Sequence, residues 1–297
     1  MPQLAQFRLQ PRPAVKDRNL FDIVGERYKP LAELGKGAIC RVDLAMDIRS
    51  KKEIAIKRLH EDNLRNPTAL FTLHSEAAAL NAVRHPGVPA FIRSSLDVPD
   101  PFVAMERIDA QAFSLRSFGT RYEILQSCIA ICDILSGLHQ LGIVHRDLKP
   151  SNILLRTRSR APVLIDFGFS LVPGLPDLAM MADSPIGTPK FMAPEQTVPK
   201  TRMTPQTDIY SLGVIAYSFL SGCYPYTLGP GESDAQIMEA HRKQKAPLMH
   251  TVNHRIPVRL SNVMAKAIEK DPRNRFVDAE EMGDALSDCL SLPSFMA

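Results

Sequence analysis

The run His145-Arg146-Asp147-Leu148-Lys149-Pro150-Ser151-Asn152 is the most informative stretch of this 297-residue chain. It places a carboxylate at Asp147, an ammonium group at Lys149 and a carboxamide at Asn152. Such groups can orient an attacking hydroxyl, stabilise a transferring anionic group and hold a divalent cation. A second carboxylate suited to a cation follows in Asp166-Phe167-Gly168, 14 residues after Asn152. The two runs, in this order and at this spacing, indicate a common chemical purpose.

Both runs resemble motifs of the protein kinase family, namely the catalytic loop and the metal-binding Asp-Phe-Gly motif. By this resemblance, Asp147 accepts the proton of a substrate hydroxyl and Lys149 stabilises charge on the moving phosphoryl group. The resemblance also implies ATP as the phosphoryl donor. Asn152 and Asp166 would hold Mg²⁺, with Mn²⁺ as the alternative ion.

A glycine-bearing turn lies where a kinase has its glycine-rich loop. Leu34-Gly35-Lys36-Gly37 would bring backbone N–H groups close to the phosphates of ATP, an approach that glycine permits. An ordinary hairpin turn explains the same residues, so the glycines alone do not decide between the two. The third glycine position of the family holds Cys40 here, and nearby cations could lower the pKa of its thiol enough for a redox role.

Lys57, in Ala55-Ile56-Lys57, resembles the kinase lysine that binds the α- and β-phosphates. Glu76 follows 19 residues later, on a helix predicted over residues 68–83 from apolar residues spaced three and four apart. By the resemblance, an ion pair between Lys57 and Glu76 holds the lysine toward the nucleotide and belongs to the catalytic machinery. Taken singly, the lysine is explained as a solvated strand end and the glutamate as a surface residue.

Residues 101–108 resemble the strand and hinge that connect the two lobes of a kinase. By this match Met105 occupies the gatekeeper position, and the carbonyl of Glu106 and the N–H of Ile108 hydrogen-bond adenine. Three apolar side chains would cover the adenine ring, although packing within the strand core explains them equally well. These are Val42, Ala55 and Leu154.

Residues 187–195, with the sequence GTPKFMAPE, resemble the end of a kinase activation segment. Small-molecule kinases that share the catalytic core commonly lack this stretch. Thr188, together with Lys149, is typical of serine/threonine kinases and would hydrogen-bond near Asp147. The resemblance therefore implies a protein substrate with Ser or Thr acceptors.

By the resemblance, two contacts from outside the loop hold this region in place. Glu195 would form a buried ion pair with Arg275, and losing one partner of such a pair costs about 3–5 kcal/mol. Asp208 lies at the start of an apolar helix predicted over residues 208–222, and by the resemblance it would support the catalytic loop.

Arg146, directly before the catalytic Asp147, often receives a phosphate from the activation segment in this family. The candidate acceptors are Ser184 first, then Thr188 and Ser170. Two features favour a segment that folds without phosphate: it contains no lysine or arginine between Asp166 and Pro189, and it carries an apolar run at 178–181. The sequence leaves both possibilities open, autophosphorylation at Ser184 or constitutive activity.

A strand-rich first part and a helix-rich second part predict two lobes. With these lobes, the resemblance implies an α+β, bilobal protein-kinase fold with a strand-rich N-lobe and a mainly helical C-lobe. In style it is closest to the compact, eukaryotic-like serine/threonine kinases of bacteria. The predicted divisions are an N-terminal arm at 1–27, a kinase domain at 28–290 and a C-terminal tail at 291–297. The domain would comprise an N-lobe at 28–105, a hinge at 106–110 and a C-lobe at 111–290.

Composition narrows the alternatives. A net charge of +4 with 23% charged residues indicates a mildly basic protein, and this excess is too small to imply nucleic-acid binding. Five scattered cysteines without a Cys-x-x-Cys pair favour free thiols in a reducing compartment. The sequence contains no apolar run of 18 residues and no apolar signal-peptide core, so we expect no membrane span and a cytoplasmic location.

Three functions compete at this point. The first is a serine/threonine protein kinase that transfers the ATP γ-phosphoryl group to protein hydroxyls, its own included. The second is a pseudokinase that acts as a nucleotide-binding scaffold, favoured by Cys40 and by the activation segment without cations. The third is a small-molecule phosphotransferase, which residues 187–195 oppose. The sequence does not indicate the target, the activating signal or the oligomeric state.

Overall fold

The computed structural model describes residues 23–291, which form two compact units. The first unit contains the described residues up to Asp109, together with 166–168 and 174–176; the remaining described residues form the second unit. The first unit is rich in strands and the second in helices, which confirms the predicted α+β class. The division after Asp109 falls within the segment 106–110 that was predicted as the hinge.

A five-stranded antiparallel sheet makes up most of the first unit, with the strand order β1-β2-β3-β5-β4. The strands are β1 (Tyr28–Lys36), β2 (Cys40–Asp47), β3 (Glu53–Leu59), β4 (Phe91–Ser95) and β5 (Phe102–Glu106). β3 is central and pairs with β2 on one side and β5 on the other. Its residues from Ile54 to Leu59 are all buried, so a charged side chain here requires a partner.

Helix α1 (Pro67–Ala82) belongs to the same unit. Its start is fixed by Asn66, whose side chain accepts hydrogen bonds from the N–H groups of Thr68 and Ala69, and by Pro67 at the first helical position. Most of its length is buried, including Glu76, which is 2% exposed. The helix predicted over 68–83 is therefore confirmed within one residue at each end.

The N-terminal boundary of the first unit lies before Tyr28. Val24 is 2% exposed and belongs to a core cluster with Tyr28 and Phe102, whose rings meet edge to face with centroids 5.6 Å apart. Val24 also forms a β-bridge with Tyr28. Val24, within the predicted arm 1–27, is thus packed in the core, whereas residues 1–22 and the tail 292–297 lie outside the described part.

The second unit is built mainly from helices. Its longest are α2 (Arg121–Gln140) and α4 (Pro205–Ser221), and α2 also packs on α8. The others are α3 (Leu178–Met181), α5 (Asp234–Lys243), α6 (Met249–Val252), α7 (Val258–Ala267) and α8 (Ala279–Leu290). None of the helices within residues 23–291 is long and apolar enough to cross a membrane.

Helix α4 is buried on nearly every side, as its continuous apolar sequence predicts. Gly213 allows close packing, because a Cβ there would lie 2.8 Å from Ile268 and 2.9 Å from Ala267. Gly222 ends the helix in the left-handed conformation, with φ of 80°. Asp208, in the first turn, is fully buried and points to a structural role for its charge.

A small three-stranded sheet in the second unit was not predicted from the sequence. Its strands are β6 (Ala110–Ala112), β7 (Ile153–Arg156) and β8 (Pro162–Leu164), in that order. β7 begins directly after Asn152, so this sheet anchors the end of the 145–152 run.

Cys128 and Cys132 lie on the buried side of α2 as free thiols, consistent with core packing.

Candidate active site

Three charged side chains meet in the first unit. The Nζ atom of Lys57 lies 3.1 Å from Oε2 of Glu76 and 2.6 Å from Oδ1 of Asp166. The lysine and glutamate side chains are 10% and 2% exposed, whereas the Asp166 side chain is 46% exposed. The ion pair predicted between Lys57 and Glu76 is present, and Asp166 extends the pair toward solvent.

The sheet fixes the position of this cation. Lys57 lies in central strand β3, where its register partners are Val42 in β2 and Val103 in β5. Burial alone would lower its pKa, but the charges of Asp166 and Glu76 outweigh that effect and raise it. Lys57 therefore stays protonated at neutral pH and presents a fixed positive charge beside the exposed carboxylate.

The turn between β1 and β2 is held by residues that follow β3. The N–H of Gly37 donates to the carbonyl of Cys40 at 2.8 Å, and the ring Nε2 of His60 lies 2.7 Å from the carbonyl of Gly37. The amide of Asn63 donates to the carbonyl of Ile39 at 3.3 Å. Neither of these two anchoring side chains was predicted from the sequence. Leu34, Gly35 and Lys36 all lie on the exposed end of β1.

Cys40 does not have the activated thiol that was considered from the sequence. Burial raises its pKa to about 11, more than the charge of Lys57 lowers it. A thiol with a raised pKa holds little of the nucleophilic thiolate at neutral pH. Cys40 therefore lacks the lowered pKa on which a redox role would depend.

Most of the residues predicted to contact adenine belong to the first unit, and Leu154 belongs to the second. Ala55 is buried and lies opposite the buried Met105 in the β3–β5 register, and Val42 is half-buried on β2. Glu106 is fixed by its N–H, which donates to the carbonyl of Ala90, and by its carboxylate, which accepts from the N–H of Ala90. The half-buried Ile108 follows in the first unit, and Leu154 is half-buried on β7 of the second.

A closed set of hydrogen bonds surrounds Asp147 in the second unit. Lys149 Nζ lies 2.7 Å from Oδ2 of Asp147 and 2.7 Å from Oγ1 of Thr188. Thr188 in turn donates to Oδ1 of Asp147 at 2.7 Å. The predicted contact of Thr188 with the catalytic loop is present, and the carboxylate is held at both oxygens.

Asn152 completes this group. Its Nδ2 donates to the backbone carbonyl of Asp147 at 2.9 Å and to Oδ2 of the same residue at 3.1 Å. Both bonds use the amide nitrogen, so neither uses the amide oxygen, the atom that binds a cation. The backbone N–H of Ile165 donates to the carbonyl of Asn152, which links this residue to the chain directly before Asp166.

The loop that carries Asp147 is clamped through its backbone. Asp208 accepts from the N–H groups of His145 and Arg146, both at 2.8 Å, and from Nε2 of His139 at 2.9 Å. Arg146 has a left-handed φ of 67°, a conformation that costs about 1–3 kcal/mol unless neighbours hold it. Burial acts to raise the pKa of Asp208, but these hydrogen bonds and the nearby histidines lower it overall. The predicted support by Asp208 is present.

Gln196 supports the same loop from the other side and was missed in the sequence. Its Nε2 donates to the carbonyl of Arg146 at 2.7 Å, and its Oε1 accepts from the N–H of Ala193. The side chain is 1% exposed. Gly187 lies against the same carbonyl with φ of 124°, and a Cβ there would come within 3.2 Å of it. The one feature of the sequence that could have pointed to this role of Gln196 is its position directly after Glu195.

The Arg146 side chain is paired with Asp177, a residue whose role was not predicted from the sequence. Its two terminal nitrogens donate to the two carboxylate oxygens at 2.6 and 2.8 Å. Among the candidate phosphate acceptors, Ser170 is buried and its Oγ donates to the carbonyl of His145. Ser184 is exposed, so its phosphorylation stays a prediction.

The predicted pair of Glu195 and Arg275 is present and bidentate. Both terminal nitrogens of Arg275 lie 2.8 Å from the carboxylate oxygens of Glu195. Arg275 also donates to three backbone carbonyls, and its side chain is 0% exposed. This pair joins the end of the 187–195 segment to the chain before α8.

Comparison with known proteins finds similarity to protein kinases. The protein kinase domain family matches residues 28–285. Serine/threonine-protein kinase Pkn1 of Myxococcus xanthus is 30% identical over 280 residues, which are 91% of this chain and 39% of that protein. Serine/threonine-protein kinase PknB of Mycobacterium tuberculosis is 29% identical over 269 residues, 87% of this chain and 42% of the relative. The chain thus spans less than half the length of these curated relatives.

Proposed function

This chain belongs to the protein kinase family, and from that premise we propose that it is a serine/threonine protein kinase. It transfers the γ-phosphoryl group of ATP to Ser and Thr hydroxyls of proteins. The observation that carries this proposal is the carboxylate of Asp147 held between Lys149 and Thr188, each at 2.7 Å. A carboxylate fixed in this way can orient an acceptor hydroxyl and take its proton.

Lys149 supplies the charge that the reaction needs at the acceptor. Its ammonium group bonds both Asp147 and Thr188, so it is held beside the proposed base instead of moving freely in solvent. Negative charge on the transferring phosphoryl group is stabilised most by a cation that is already in place. Thr188 fixes both partners and orders the segment on which a protein substrate would lie.

Lys57 and Glu76 serve the phosphoryl donor. The protonated lysine would bind the α- and β-phosphates, and Glu76 holds it in position from within α1. Backbone N–H groups of the turn at 34–37 would approach the same phosphates. The adenine contacts stay as predicted, and involve the backbone of Glu106 and Ile108 and the side chains of Val42, Ala55 and Leu154.

A divalent cation, Mg²⁺ or Mn²⁺, would be held by Asp166 and Asn152. The donor set fits such an ion, since it combines a carboxylate that is 46% exposed with an amide oxygen not used in the hydrogen bonds to Asp147. Within residues 23–291 no cluster of three or more His, Cys, Asp or Glu side chains forms a metal cage. Mg²⁺ is usually bound by one or two carboxylates together with substrate phosphates. When bound, the ion neutralises phosphate charge.

Residues 187–195 are held in a fixed conformation by the Glu195–Arg275 pair and by Gln196. A surface that binds a protein substrate requires such a fixed conformation. The scaffold alternative is opposed by the ion pair of Lys57 with Glu76 and by the bonded carboxylate of Asp147, which a scaffold does not need. The five cysteines are free thiols, which supports a reducing compartment such as the cytoplasm.

Transfer from γ-labelled ATP to peptides with a single Ser, Thr or Tyr acceptor tests the proposal. We expect labelling of Ser and Thr peptides, loss of labelling without divalent cation, and a decrease of about 10²–10⁴-fold in Asp147→Asn. An Asp183→Asn variant, changed at an exposed carboxylate, is the matched control and should keep its activity. Binding of ATP without labelling of any peptide or of the chain itself would instead support the scaffold.

A further inference from the structure

The pairing of Arg146 with Asp177 has no role in the function proposed above. The Arg146 side chain is 2% exposed and that of Asp177 is 19% exposed. The Nε of Arg146 is buried and has no hydrogen-bond partner among the described residues. Asp177 therefore provides the hydrogen bonds of this guanidinium, and a buried cation without its anion is strongly unfavourable.

The position of Arg146 connects this pair to the reaction. Its N–H is bound by Asp208 and its carbonyl by Gln196, and the next residue is the proposed base Asp147. The backbone between these clamps has a left-handed φ of 67°. If the Arg146 side chain left its buried site, the attached peptide would shift. The ion pair that holds the guanidinium therefore also affects the orientation of Asp147.

Asp177 is itself held in place. It is the N-cap of the short helix α3, where Oδ1 accepts from the N–H of Ala179 at 3.0 Å. Leu178 and Ala179 are each 5% exposed, so apolar packing fixes the start of α3. Burial acts to raise the pKa of Asp177, but the hydrogen bonds and charge of Arg146 lower it overall. The carboxylate is therefore ionised at neutral pH.

A phosphate on this segment would have to bind cations that lie outside the segment. The sequence has no lysine or arginine between Asp166 and Pro189. Among residues 23–291, Asp183 forms an ion pair with Lys200, and these side chains are 78% and 57% exposed. A phosphate at Ser184 would have to displace Asp177 to reach both terminal nitrogens of Arg146.

We propose that Asp177 is a positioning residue for the transfer reaction, and that its carboxylate takes the place on Arg146 that a phosphate occupies in kinases switched by phosphorylation. The inference rests on the proposed kinase function. The catalytic loop is set by the fold of the unphosphorylated chain, so activity requires no prior modification. Of the two possibilities left open by the sequence, this favours constitutive activity.

The first test compares phosphatase-treated wild type with Asp177→Asn, which keeps the size and capping ability of the side chain but removes its charge. We expect the treated wild type to retain its rate within about twofold. In Asp177→Asn, kcat should fall at least about tenfold, with KM for ATP within about twofold, because the variant leaves the donor site in the first unit unchanged. Asp183→Asn is the control, since an exposed pair contributes little.

A second readout does not depend on catalysis. The N–H groups of His145 and Arg146 are bound by Asp208, so hydrogen exchange in a peptide covering 144–149 reports whether the loop is held. We expect exchange there to be at least about tenfold faster in Asp177→Asn than in wild type or Asp183→Asn. An Arg146→Met variant should match the double variant with Asp177→Asn, because Asp177 acts through Arg146.

The outcomes separate this inference from the kinase assignment. Unchanged exchange in Asp177→Asn overturns the positioning role, whatever the activity. Faster exchange in Asp177→Asn than in the wild type, together with a wild type that never transfers phosphate, supports the positioning role and removes only the kinase function. Loss of activity on phosphatase treatment, regained after incubation with ATP, overturns the independence from phosphorylation.

Discussion

Replacing Glu195 is expected to destabilise the second unit by about 3–5 kcal/mol, because it leaves the charge of Arg275 buried without a counter-ion. The Arg275 side chain is 0% exposed and that of Glu195 is 11% exposed, so water cannot take over the lost contact. Arg275 would keep its bonds to the backbone carbonyls of Glu269, Gln206 and Lys270. Neutral carbonyls solvate the guanidinium but do not neutralise it.

Two variants of Glu195 separate the effect of losing the charge from the effect of losing the hydrogen bonds as well. Glu195→Gln retains one oxygen for Arg275 and for the hydroxyl of Thr207, which donates to Oε1 at 3.0 Å. It also turns an amide N–H₂ toward a second Arg275 nitrogen, so a donor faces a donor. We expect a loss near 3 kcal/mol for Glu195→Gln and near 5 kcal/mol for Glu195→Ala, which loses the Thr207 bond as well, both as order-of-magnitude values.

Urea unfolding followed by circular dichroism measures the difference. With an m value of about 3 kcal/mol/M, the transition midpoint should fall by about 1–1.7 M. The control is Asp288→Asn, which breaks the exposed Arg259–Asp288 pair, with side chains 54% and 65% exposed, and should cost at most about 1 kcal/mol. If Glu195→Ala costs no more than this control, the argument from a buried unpaired charge is refuted.

Three further outcomes follow from the site. Asp208→Asn weakens the acceptor of two loop N–H groups, so kcat should fall about 10–100-fold while KM for ATP stays constant in steady-state assays. The same variant should be less stable than wild type at pH 7, and this difference in the free energy of unfolding should disappear as the pH falls below about 4. The reason is that the pKa of Asp208 is lowered in the folded state, so its contribution to stability is lost when it is protonated. Urea titrations at a series of pH values measure the difference, and a difference that does not change with pH would contradict the prediction. Iodoacetamide at pH 7.5 should modify the exposed Cys223 well before Cys40, whose pKa is raised to about 11; mass mapping that finds Cys40 modified first would show that its thiol is activated.

The sequence was sufficient where the chemistry depends on residues close together in the chain. Asp147, Lys149 and Asn152 lie within six residues, so their motif could be identified directly, and the structure brings them together. The ion pair of Lys57 and Glu76 was predicted from the resemblance to kinases, because neither residue taken singly has a distinctive signal in the sequence.

The residues that were missed act across longer distances and carry no motif. Asp177 meets Arg146 over 31 residues and Gln196 meets it over 50, and a single carboxylate or amide in a loop resembles any other polar residue. His60 likewise reaches Gly37 only once β3 has been placed. Such partners depend on tertiary packing, which periodicity does not encode.

Short elements escaped for a related reason. β6, β7 and β8 have three or four residues each, too few for an alternating pattern to stand out in the sequence. Val24 was assigned to an arm because charged and proline-rich residues precede it, yet it is packed in the core beside Tyr28 and Phe102. One apolar residue at the end of a polar stretch gives no periodic signal.

The most direct test of the central claim is the intact mass of the protein before and after incubation with Mg²⁺ and ATP, beside an Asp147→Asn variant treated in the same way. We expect phosphate to be added to the wild type and not to the variant, since the Asp147 carboxylate is the proposed base. Equal addition of phosphate to both proteins would contradict the role of Asp147. No addition to either, together with no transfer to Ser or Thr peptides, would contradict the kinase function itself.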